Sequence, residues 1–435
     1  NMNNNKVGVI AGAVAAALAM NHALAETQLN LSGFGTVGAV HSDSRDADFG
    51  GSVYQPNGPG RSSPWMYGVD TKAGVQVSAN FGNGLTGVAQ LVADHRGNNS
   101  YSPNFEWLNL KYDINNNWYV RGGRVLLPIF MVSDTRNVGY SLTSVRMPMD
   151  VYFINPISHA DGVDIGGKFD VAGGNLLVTL TAGDSNDVMK QYRIEGKKTV
   201  NLGATYETGS STFHANYFRG RLSVVPYDNN SPGTIKKFSD YTASVNYLKG
   251  VPAAGYTQPN LLIDDLKASM WSFGYTYDPG TWVVQAEYAA RKVDGLLVTD
   301  LAGWYVQAGY RLGRFTPYAS VSQLKTRDSA PHPKASTAAG GLTALAATVV
   351  NFTDEALGVQ QEEKSVALGV RYDLARNVDL KMLYDVIRKP GSGTPYGGIG
   401  GGGNGGTFKN VPYFSTWNYS EQTVKLFSVA LDFVF

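Results

Sequence analysis

Histidine and serine residues are the first candidates for chemistry, because nucleophilic hydrolysis needs a Ser, a His base and an orienting carboxylate or amide held together in space. The chain has six His. Three of them, His41, His95 and His332, are predicted at strand ends or loops on one side of the fold. The sequence contains neither a G-x-S-x-G elbow nor an H-E-x-x-H motif. We therefore predict no enzyme, no catalytic residue and no metal site, with a hydrolase built on those three His as the alternative.

A glycine-rich run at 397–406 has the spacing of a dinucleotide-binding loop, but no strand-to-helix context surrounds it. It is predicted to be a surface loop, and we expect no cofactor. The absence of Cys excludes a disulfide framework. A formal net charge of +1 gives no support to nucleic-acid binding.

Charged side chains recur at alternate positions along extended segments, an arrangement that can line a water-filled lumen and set its ion preference. Basic residues slightly outnumber acidic ones in this set. The predicted lumen-lining residues are Lys72, Lys111, Arg121, Lys168, Glu287, Arg291, Arg311, Arg371 and Lys381, together with Asp164, Asp170, Asp379 and Asp385.

Strands of roughly ten residues must position these charges, as in barrels that cross a membrane. Residues 69–81 alternate between apolar and polar side chains, and Gly82-Asn83-Gly84 then provides a tight hairpin turn. Six further tight turns join strands in the same way, while the other connections are long. They are predicted at 115–117, 172–174, 209–211, 278–280, 313 and 375–377.

Short turns at one end and long loops at the other are typical of outer-membrane barrels. The count is sixteen strands if Tyr241 to Leu248, which also alternates, lies within a long loop. A β-sandwich would alternate as well, but aromatic residues such as Tyr277, Trp282 and Tyr310 recur beside the turns and predict an interfacial girdle. The predicted fold class is therefore all-β: a transmembrane antiparallel β-barrel with short periplasmic turns and long extracellular loops.

Both ends of the sequence carry export signals. Lys6, an apolar run from Val7 to Met20 and the cleavage site Ala23-Leu24-Ala25 predict a cleaved signal peptide over 1–25 and a barrel over 26–435. The apolar run is shorter than the roughly 20 residues of a membrane-spanning helix. The last strand alternates up to Leu431, Phe433 and Phe435, which resembles the C-terminal signature recognised for barrel insertion in Gram-negative bacteria.

Taken together, the signal peptide, the strand count, the long segment after the fifth strand and the terminal Phe resemble the Gram-negative porin superfamily over essentially all of 26–435. The Pro-Glu-Phe-Gly type motif of general porins is absent, so the match is one of pattern. In that family the loop after strand five folds into the barrel and narrows the pore. Strand five is predicted at 118–126 and the next strand near Gly162, which makes 127–161 the equivalent loop.

The resemblance implies a pore constriction formed by this loop and the wall opposite. Its predicted residues are Asp134, Arg136, Arg146 and Asp150 on the loop, and Arg121 and Arg124 on strand five. Our hypothesis is that Arg121 and Arg124 face the carboxylates of Asp134 and Asp150 across the lumen.

It further implies a passive diffusion channel for small hydrophilic solutes and ions in the cell outer membrane of a Gram-negative bacterium. The expected partners are outer-membrane lipid, lipopolysaccharide and further copies of the chain in a homotrimer, with no nucleic acid. A porin selective for sugars or organic acids is the nearer alternative, because aromatic residues could provide a sliding surface. Those residues are Trp107, Tyr119, Tyr305 and Tyr318.

Overall fold

The protein is described by a computed structural model. The signal peptide, the segment Tyr241 to Leu248, His332 and the glycine-rich run 397–406 lie outside the described residues. The structure describes residues 27–45, 47–52, 54–55, 57–96, 100–188, 192–226, 264–295, 298, 300–327, 362–388, 408–409 and 423–435.

Sixteen antiparallel strands form the wall of the barrel, as predicted. In chain order they are β1 Gln28–Ser42, β2 Lys72–Gly82, β3 Leu85–Asp94, β4 Asn104–Asp113, β5 Trp118–Leu126, β6 His159–Val171, β7 Gly174–Val188, β8 Tyr192–Thr208, β9 Ser211–Pro226, β10 Leu266–Tyr277, β11 Trp282–Val293, β12 Leu301–Tyr310, β13 Phe315–Thr326, β14 Glu363–Ala375, β15 Val378–Arg388 and β16 Thr423–Val434.

The barrel closes between its first and last strands. β1 pairs with β2 on one side and with β16 on the other, where Phe34 lies opposite Val434. Gly33 and Phe435 exchange two backbone hydrogen bonds of 2.9 Å at this seam. A side chain larger than hydrogen at Gly33 would collide with the Phe435 ring, so the glycine is what lets the aromatic ring lie flat across the seam.

All seven predicted tight turns join consecutive strands at one end of the barrel. In the first, Asn83 and Gly84 have φ of 51° and 79°, the left-handed region that Asn and Gly tolerate best. Asn377 has φ of 68° in the last. These residues are therefore matched to the backbone that a tight hairpin requires.

The outward face of the wall is apolar and exposed. Leu31 is 63% exposed and Leu368 is 61% exposed. The residues that alternate with them along the same strands point inward. Aromatic pairs lie beside the short turns, including Trp282 with Tyr310 at 4.6 Å between ring centroids. An apolar surface with an aromatic girdle is what lipid requires, so the transmembrane barrel is confirmed and a sandwich with a buried apolar core is excluded.

Two short helices lie in the long connection after β5: a 3-10 turn at Gly139–Ser141 and helix α1 at Met149–Tyr152. Among the described residues, no helix is long and apolar enough to cross a membrane. Near the loop end of the barrel, the short strand Trp65–Met66 pairs with β1, and Asp48–Phe49 pairs with Phe408–Lys409.

The predicted boundary of the loop after β5 was wrong by three residues. β6 begins at His159 instead of near Gly162, because Leu126 pairs with His159 and Arg124 with Asp161. His159 and Asp161 therefore belong to the wall, and the loop comprises residues 127–158.

Candidate pore constriction

The loop 127–158 folds into the barrel and packs on the inner wall through a hydrophobic core. Inward positions of a channel are normally polar, yet near the loop end of β9–β13 many of them are apolar. The core combines loop residues Leu127, Ile129, Phe130, Leu142, Met147, Val151, Ile154 and Ile157 with wall residues that include Phe218, Val224, Leu266, Met270, Val293, Leu301, Tyr305 and Leu324.

Backbone groups at the start of the loop are satisfied by polar residues of the same wall. The amide of Asn216 donates to the carbonyl oxygen of Pro128 at 2.9 Å, and the Ser272 hydroxyl donates to that of Ile129. A buried polar group without a partner is costly, so these side chains fix the depth at which the loop enters.

Glu287 on β11 is the main polar anchor of the loop. Its carboxylate accepts from the backbone N–H of Met131 at 2.5 Å and from the hydroxyls of Tyr152 at 2.6 Å and Tyr305 at 2.8 Å. Arg291, four residues further along β11, donates to the carbonyl oxygen of Ile154 at 2.6 Å. Both predicted lumen-lining residues thus face inward but lie beneath the loop.

The middle of the loop is held at the barrel seam. Lys381 on β15 is fully buried; its Nζ donates to the carbonyl oxygen of Gly139 at 2.6 Å and lies 3.0 Å from a carboxylate oxygen of Asp432. Gly139 packs so closely on Thr36 and Asp432 that any side chain there would collide with them. The turn 139–141 is therefore pinned simultaneously to β1, β15 and β16.

Arg371 on β14 extends this anchoring along the next strand. Its guanidinium donates to the carbonyl oxygens of Tyr140 at 2.7 Å and Leu142 at 3.0 Å. It also lies 3.0 Å from Asp379 of the wall. Like Lys381, this predicted lumen-lining residue supports the loop.

Two predicted constriction residues, Arg146 and Asp150, are anchors in the contact between loop and wall. Arg146 makes a bidentate ion pair with Asp70 at 2.9 and 2.6 Å and also donates to Ser428 at 2.8 Å. Asp150 is 3% exposed and accepts from Ser322 at 2.5 Å. Asp150 is buried and Arg146 is only partly exposed, so the charges of both residues are directed into contacts between the loop and the rest of the barrel.

Arg136 reaches the opposite side of the barrel, where it pairs with Glu106 of β4. The Lys72 ammonium of β2 donates to the carbonyl oxygen of Arg136 at 3.2 Å. Glu106 was missed by the prediction because a register shift between Gln90 and Leu91 in the β3–β4 pairing breaks strict alternation. The loop therefore bridges the lumen from β11 to β4.

Arg121 and Arg124 are paired within the wall, which corrects the hypothesis that they face Asp134 and Asp150. Arg121 is bidentate with Asp164 at 2.8 and 2.7 Å, and Arg124 is bidentate with Asp161 at 2.7 Å for each bond. Because the two arginines are three residues apart, alternation places only Arg121 on the lumen side.

The open part of the lumen is bounded by the loop and the inner wall of β2–β7. Lys111 lies there, 2.7 Å from Asp113, and Lys168 is exposed. On the loop side, Asp134 is exposed. Among the described residues, Lys168 and Asp170 on the wall and Asp134 on the loop form no ion pair, so these three carry uncompensated charge.

Three of the aromatic residues that could have formed a sliding surface are buried: Tyr305 at 1%, Tyr318 at 4% and Tyr119 at 7% exposure. Tyr305 binds Glu287 under the loop, and the Tyr318 hydroxyl donates to the carbonyl oxygen of Met382 at 3.2 Å. They are supports of the loop and wall, which corrects this part of the prediction. Trp107 is partly exposed.

One tyrosine and one ion pair lie outside the strands. Tyr54, in the connection between β1 and β2, donates its hydroxyl to the carbonyl oxygen of Pro156, and burial raises its pKa well above the usual value. At the short-turn end, Arg311 is bidentate with Asp278 at 2.5 and 2.7 Å, and this hydrogen-bonded pairing lowers the pKa of Asp278.

Among solved structures, the chain is similar to the outer-membrane channel DcaP of Acinetobacter baumannii, at 12% identity and a TM-score of 0.50, covering 94% of this chain and 97% of that one. OmpF of Salmonella typhi in complex with daunomycin matches at 14% identity and a TM-score of 0.49, over 94% and 97%. OmpT of Vibrio cholerae matches at 11% and 0.48, over 95% and 100%. No family model and no curated protein matches the chain.

The similarity to DcaP is one of fold, since the sequence identity is low. It confirms the porin-like architecture that the sequence pattern implied: sixteen antiparallel strands closed into a barrel.

Proposed function

We propose that this protein is a porin: a passive, non-enzymatic channel for small hydrophilic solutes and ions across the outer membrane of a Gram-negative bacterium. One observation carries the proposal. A loop is bound inside a closed barrel by a hydrophobic core on one side and by ion pairs on the other, and the uncovered wall is lined by charged and polar side chains. A fixed constriction with a hydrated wall is suited to diffusion.

The paired charges of the lumen support weak ion selectivity. Arg121 and Lys111 on the open wall, and Arg136 on the loop, each have a carboxylate partner. A neutralised pair produces a much smaller potential than a lone charge. Lys168, Asp170 and Asp134 then have the largest influence on permeating ions, and their mixed signs favour low selectivity.

The outward surface supports a membrane location and a homotrimer. Near-continuous apolar side chains cover the outer wall, and small residues occur at several outward positions of β1–β3 between larger ones such as Leu31 and Val77. Small side chains let a neighbouring barrel approach closely. The small residues concerned are Ala39, Ala73, Ala79, Gly87, Ala89 and Ala93.

The direct test is single-channel recording of the purified, folded protein in a planar bilayer, with the reversal potential measured under a salt gradient. We expect stable conductance steps and a reversal potential close to zero. The matched pair Lys168→Gln and Asp134→Asn should shift it in opposite directions, towards cations and towards anions respectively.

A folded, heat-modifiable barrel that shows no conductance steps would overturn the channel. Hydrolysis of an ester or peptide substrate that depends on His41 or His95 would replace it with the hydrolase alternative. Block of the current by micromolar sugar or organic acid would identify a substrate-selective porin.

A further inference from the structure

One lysine and two carboxyl groups meet in a fully buried site at the barrel seam. Lys381 and Asp379 on β15 and Asp432 on β16 all have side chains out of contact with bulk water. The two aspartates are direct cross-strand partners, and Lys381 is two residues from Asp379 on the same inward face. The three side chains therefore share one enclosed pocket.

The amine of this lysine is held beside a carboxyl group. Nζ of Lys381 lies 3.0 Å from Oδ2 of Asp432 and 3.6 Å from Oδ1 of Asp379. Oδ2 of Asp432 accepts no hydrogen bond of ordinary geometry from any described residue, whereas Nζ donates to the carbonyl oxygen of Gly139 at 2.6 Å. The loop thus positions the amine within the distance at which neighbouring groups in a protein react.

The two carboxyl groups have different partners, which assigns them different roles. Oδ1 of Asp432 accepts from the Thr36 hydroxyl at 2.5 Å. A donor on this oxygen polarises the carboxyl carbon and stabilises the negative charge that develops there when an amine attacks. Asp379 instead lies 3.0 Å from the guanidinium of Arg371, which supplies the counter-charge to a carboxylate. Asp432 is thus the electrophile and Asp379 the base.

We propose that Lys381 and Asp432 condense to an intramolecular isopeptide bond, an amide between Nζ and Cγ, with Asp379 transferring the protons. The bond links β15 to β16 beside the last residues of the chain. It requires only groups that the fold brings together, so the inference is independent of which solutes cross the barrel.

The step balances without an oxidant or a cofactor. A proton passes from the Lys381 ammonium to the Asp432 carboxylate through Asp379, which leaves an amine beside a neutral carboxyl group. Nζ then attacks Cγ and the C–N bond forms, while a second proton moves from nitrogen to Oδ2 through Asp379. The Cγ–Oδ2 bond breaks and Oδ2 leaves as water. One N–H remains on the new amide, and Asp379 is again a carboxylate.

Burial favours this product. Two charges removed from water are costly even when they are paired, and condensation replaces them with a neutral amide. The remaining N–H can still donate to the carbonyl oxygen of Gly139, and Oδ1 can still accept from Thr36, because both contacts use atoms that the product retains. The bond therefore preserves the attachment of the loop at the seam.

A second lysine–aspartate pair lacks these features and serves as an internal control. Lys111 lies 2.7 Å from Asp113, closer than Lys381 to Asp432, but the two side chains are 28% and 40% exposed. Within the described part of the chain, no other carboxylate forms an ion pair with Lys111. Water solvates both charges of this pair, so we expect it to stay an ion pair.

The test is the mass of the folded protein. The chain is refolded into detergent, its folding is verified by the heat-modifiable band, and its mass is compared with that of the same chain kept denatured. We expect the folded chain to be lighter by one water molecule, and the deficit should persist after boiling in denaturant because an amide survives this treatment.

Peptide mapping locates the bond. After digestion with trypsin, the peptide 377–388, uncleaved at Lys381, should be joined to the C-terminal peptide 426–435. Cleavage after Lys111 should be normal.

Three variants separate the roles of the side chains. Lys381→Arg keeps a donor for the loop and removes the amine, so it should retain the full mass. Asp379→Asn keeps both reacting groups and removes the proton transfer, so the bond should form on the order of 100-fold more slowly after refolding. The matched control Asp385→Asn removes a carboxylate from the same inward face of β15 and should form the bond at the wild-type rate.

A folded wild-type chain of full mass would overturn the proposal, and so would a mass deficit that maps to Lys111 and Asp113. Bond formation in Asp379→Asn at the wild-type rate would overturn the role of Asp379. None of these measurements depends on ion conduction, so their outcome is distinct from that of the channel test.

Discussion

The two sides of the lumen are built differently. Near the loop end, the inner face of β9–β13 is apolar and lies beneath the loop, with Met270 and Leu301 almost fully buried. The inner face of β2–β7 is polar and open, and several of its charges are held in pairs such as Arg121 with Asp164. One side therefore behaves as the core of a globular protein and the other as a hydrated wall.

This difference explains how a barrel can hold a rigid constriction. A loop fixed only by hydrogen bonds to a wet wall would compete with water for each bond. Burial of apolar surface does not face this competition and contributes roughly 25 cal/mol for each Å² removed from water. The covered side binds the loop, and the open side bounds the polar lumen.

The largest expected effect follows removal of the loop from the covered side. Replacing 131–155 by a short Gly-Ser linker should raise the single-channel conductance roughly two- to threefold, because the narrowest cross-section disappears. The wall is held by strand pairing, so the heat-modifiable band should persist. An unchanged conductance would mean that the loop does not bound the pore, and the comparison of the two sides would fail.

A single substitution in the core between loop and wall should loosen the loop. Ile154→Asp places a charge at a fully buried position, at a cost of several kcal/mol to the loop–wall contact. We expect frequent transitions to a higher conductance level in single-channel records. Ser141→Asp, at an exposed position of the same loop, is the matched control and should leave the records steady.

On the open side, the expected effect comes from breaking an ion pair rather than from disrupting an apolar contact. Arg121→Ala leaves the Asp164 carboxylate, 1% exposed, without its partner, which costs about 3–5 kcal/mol when the pair is buried and less here because Arg121 is partly exposed. We expect a lower urea midpoint of unfolding and a reversal potential shifted towards cations. The double variant Arg121→Ala, Asp164→Asn should restore both the urea midpoint and the reversal potential. If it restores neither, the loss of the ion pair is not the cause of these changes.

The smallest effect is expected at the short-turn end, which the loop does not reach. Arg311 lowers the pKa of Asp278 in the folded protein, so the pair contributes stability above the unfolded pKa of Asp and loses it as pH falls through the lowered folded value. Resistance to heat should decline slightly in this acidic range. In Asp278→Asn, this part of the loss of heat resistance at low pH should be absent. If heat resistance depends on pH identically in both proteins, the ion pair does not contribute to it.

Strands and turns were predictable from the sequence because a period of two and residues such as Asn83 have a local cause. The phase of the charged residues followed from the same alternation, which is why Lys381 and Glu287 do face inward. Their use as loop anchors was not predictable, because it depends on contacts between residues far apart in the sequence. Neither the inward fold of the loop nor the partners of Arg146 have a local signal.

One signal in the sequence was available and not used. Phe218, Met270, Leu301 and Leu324 occupy the lumen phase of their strands, where a water-filled channel calls for polar residues. Such an apolar patch on the inner phase indicates that another segment covers it. Arg124 also shows the limit of alternation, since a spacing of three from Arg121 already excluded a shared face.

The attachment of Gly139 at the seam constrains the order in which the barrel can be assembled. Lys381, Asp432 and Thr36, which surround it, come from β15, β16 and β1, and these strands meet only when the sheet becomes a cylinder. These anchoring contacts can therefore all form only once the first and last strands have joined. Joining strands separated by nearly the whole chain is the slowest contact to form, so closure and docking of the loop are expected to occur as one late step.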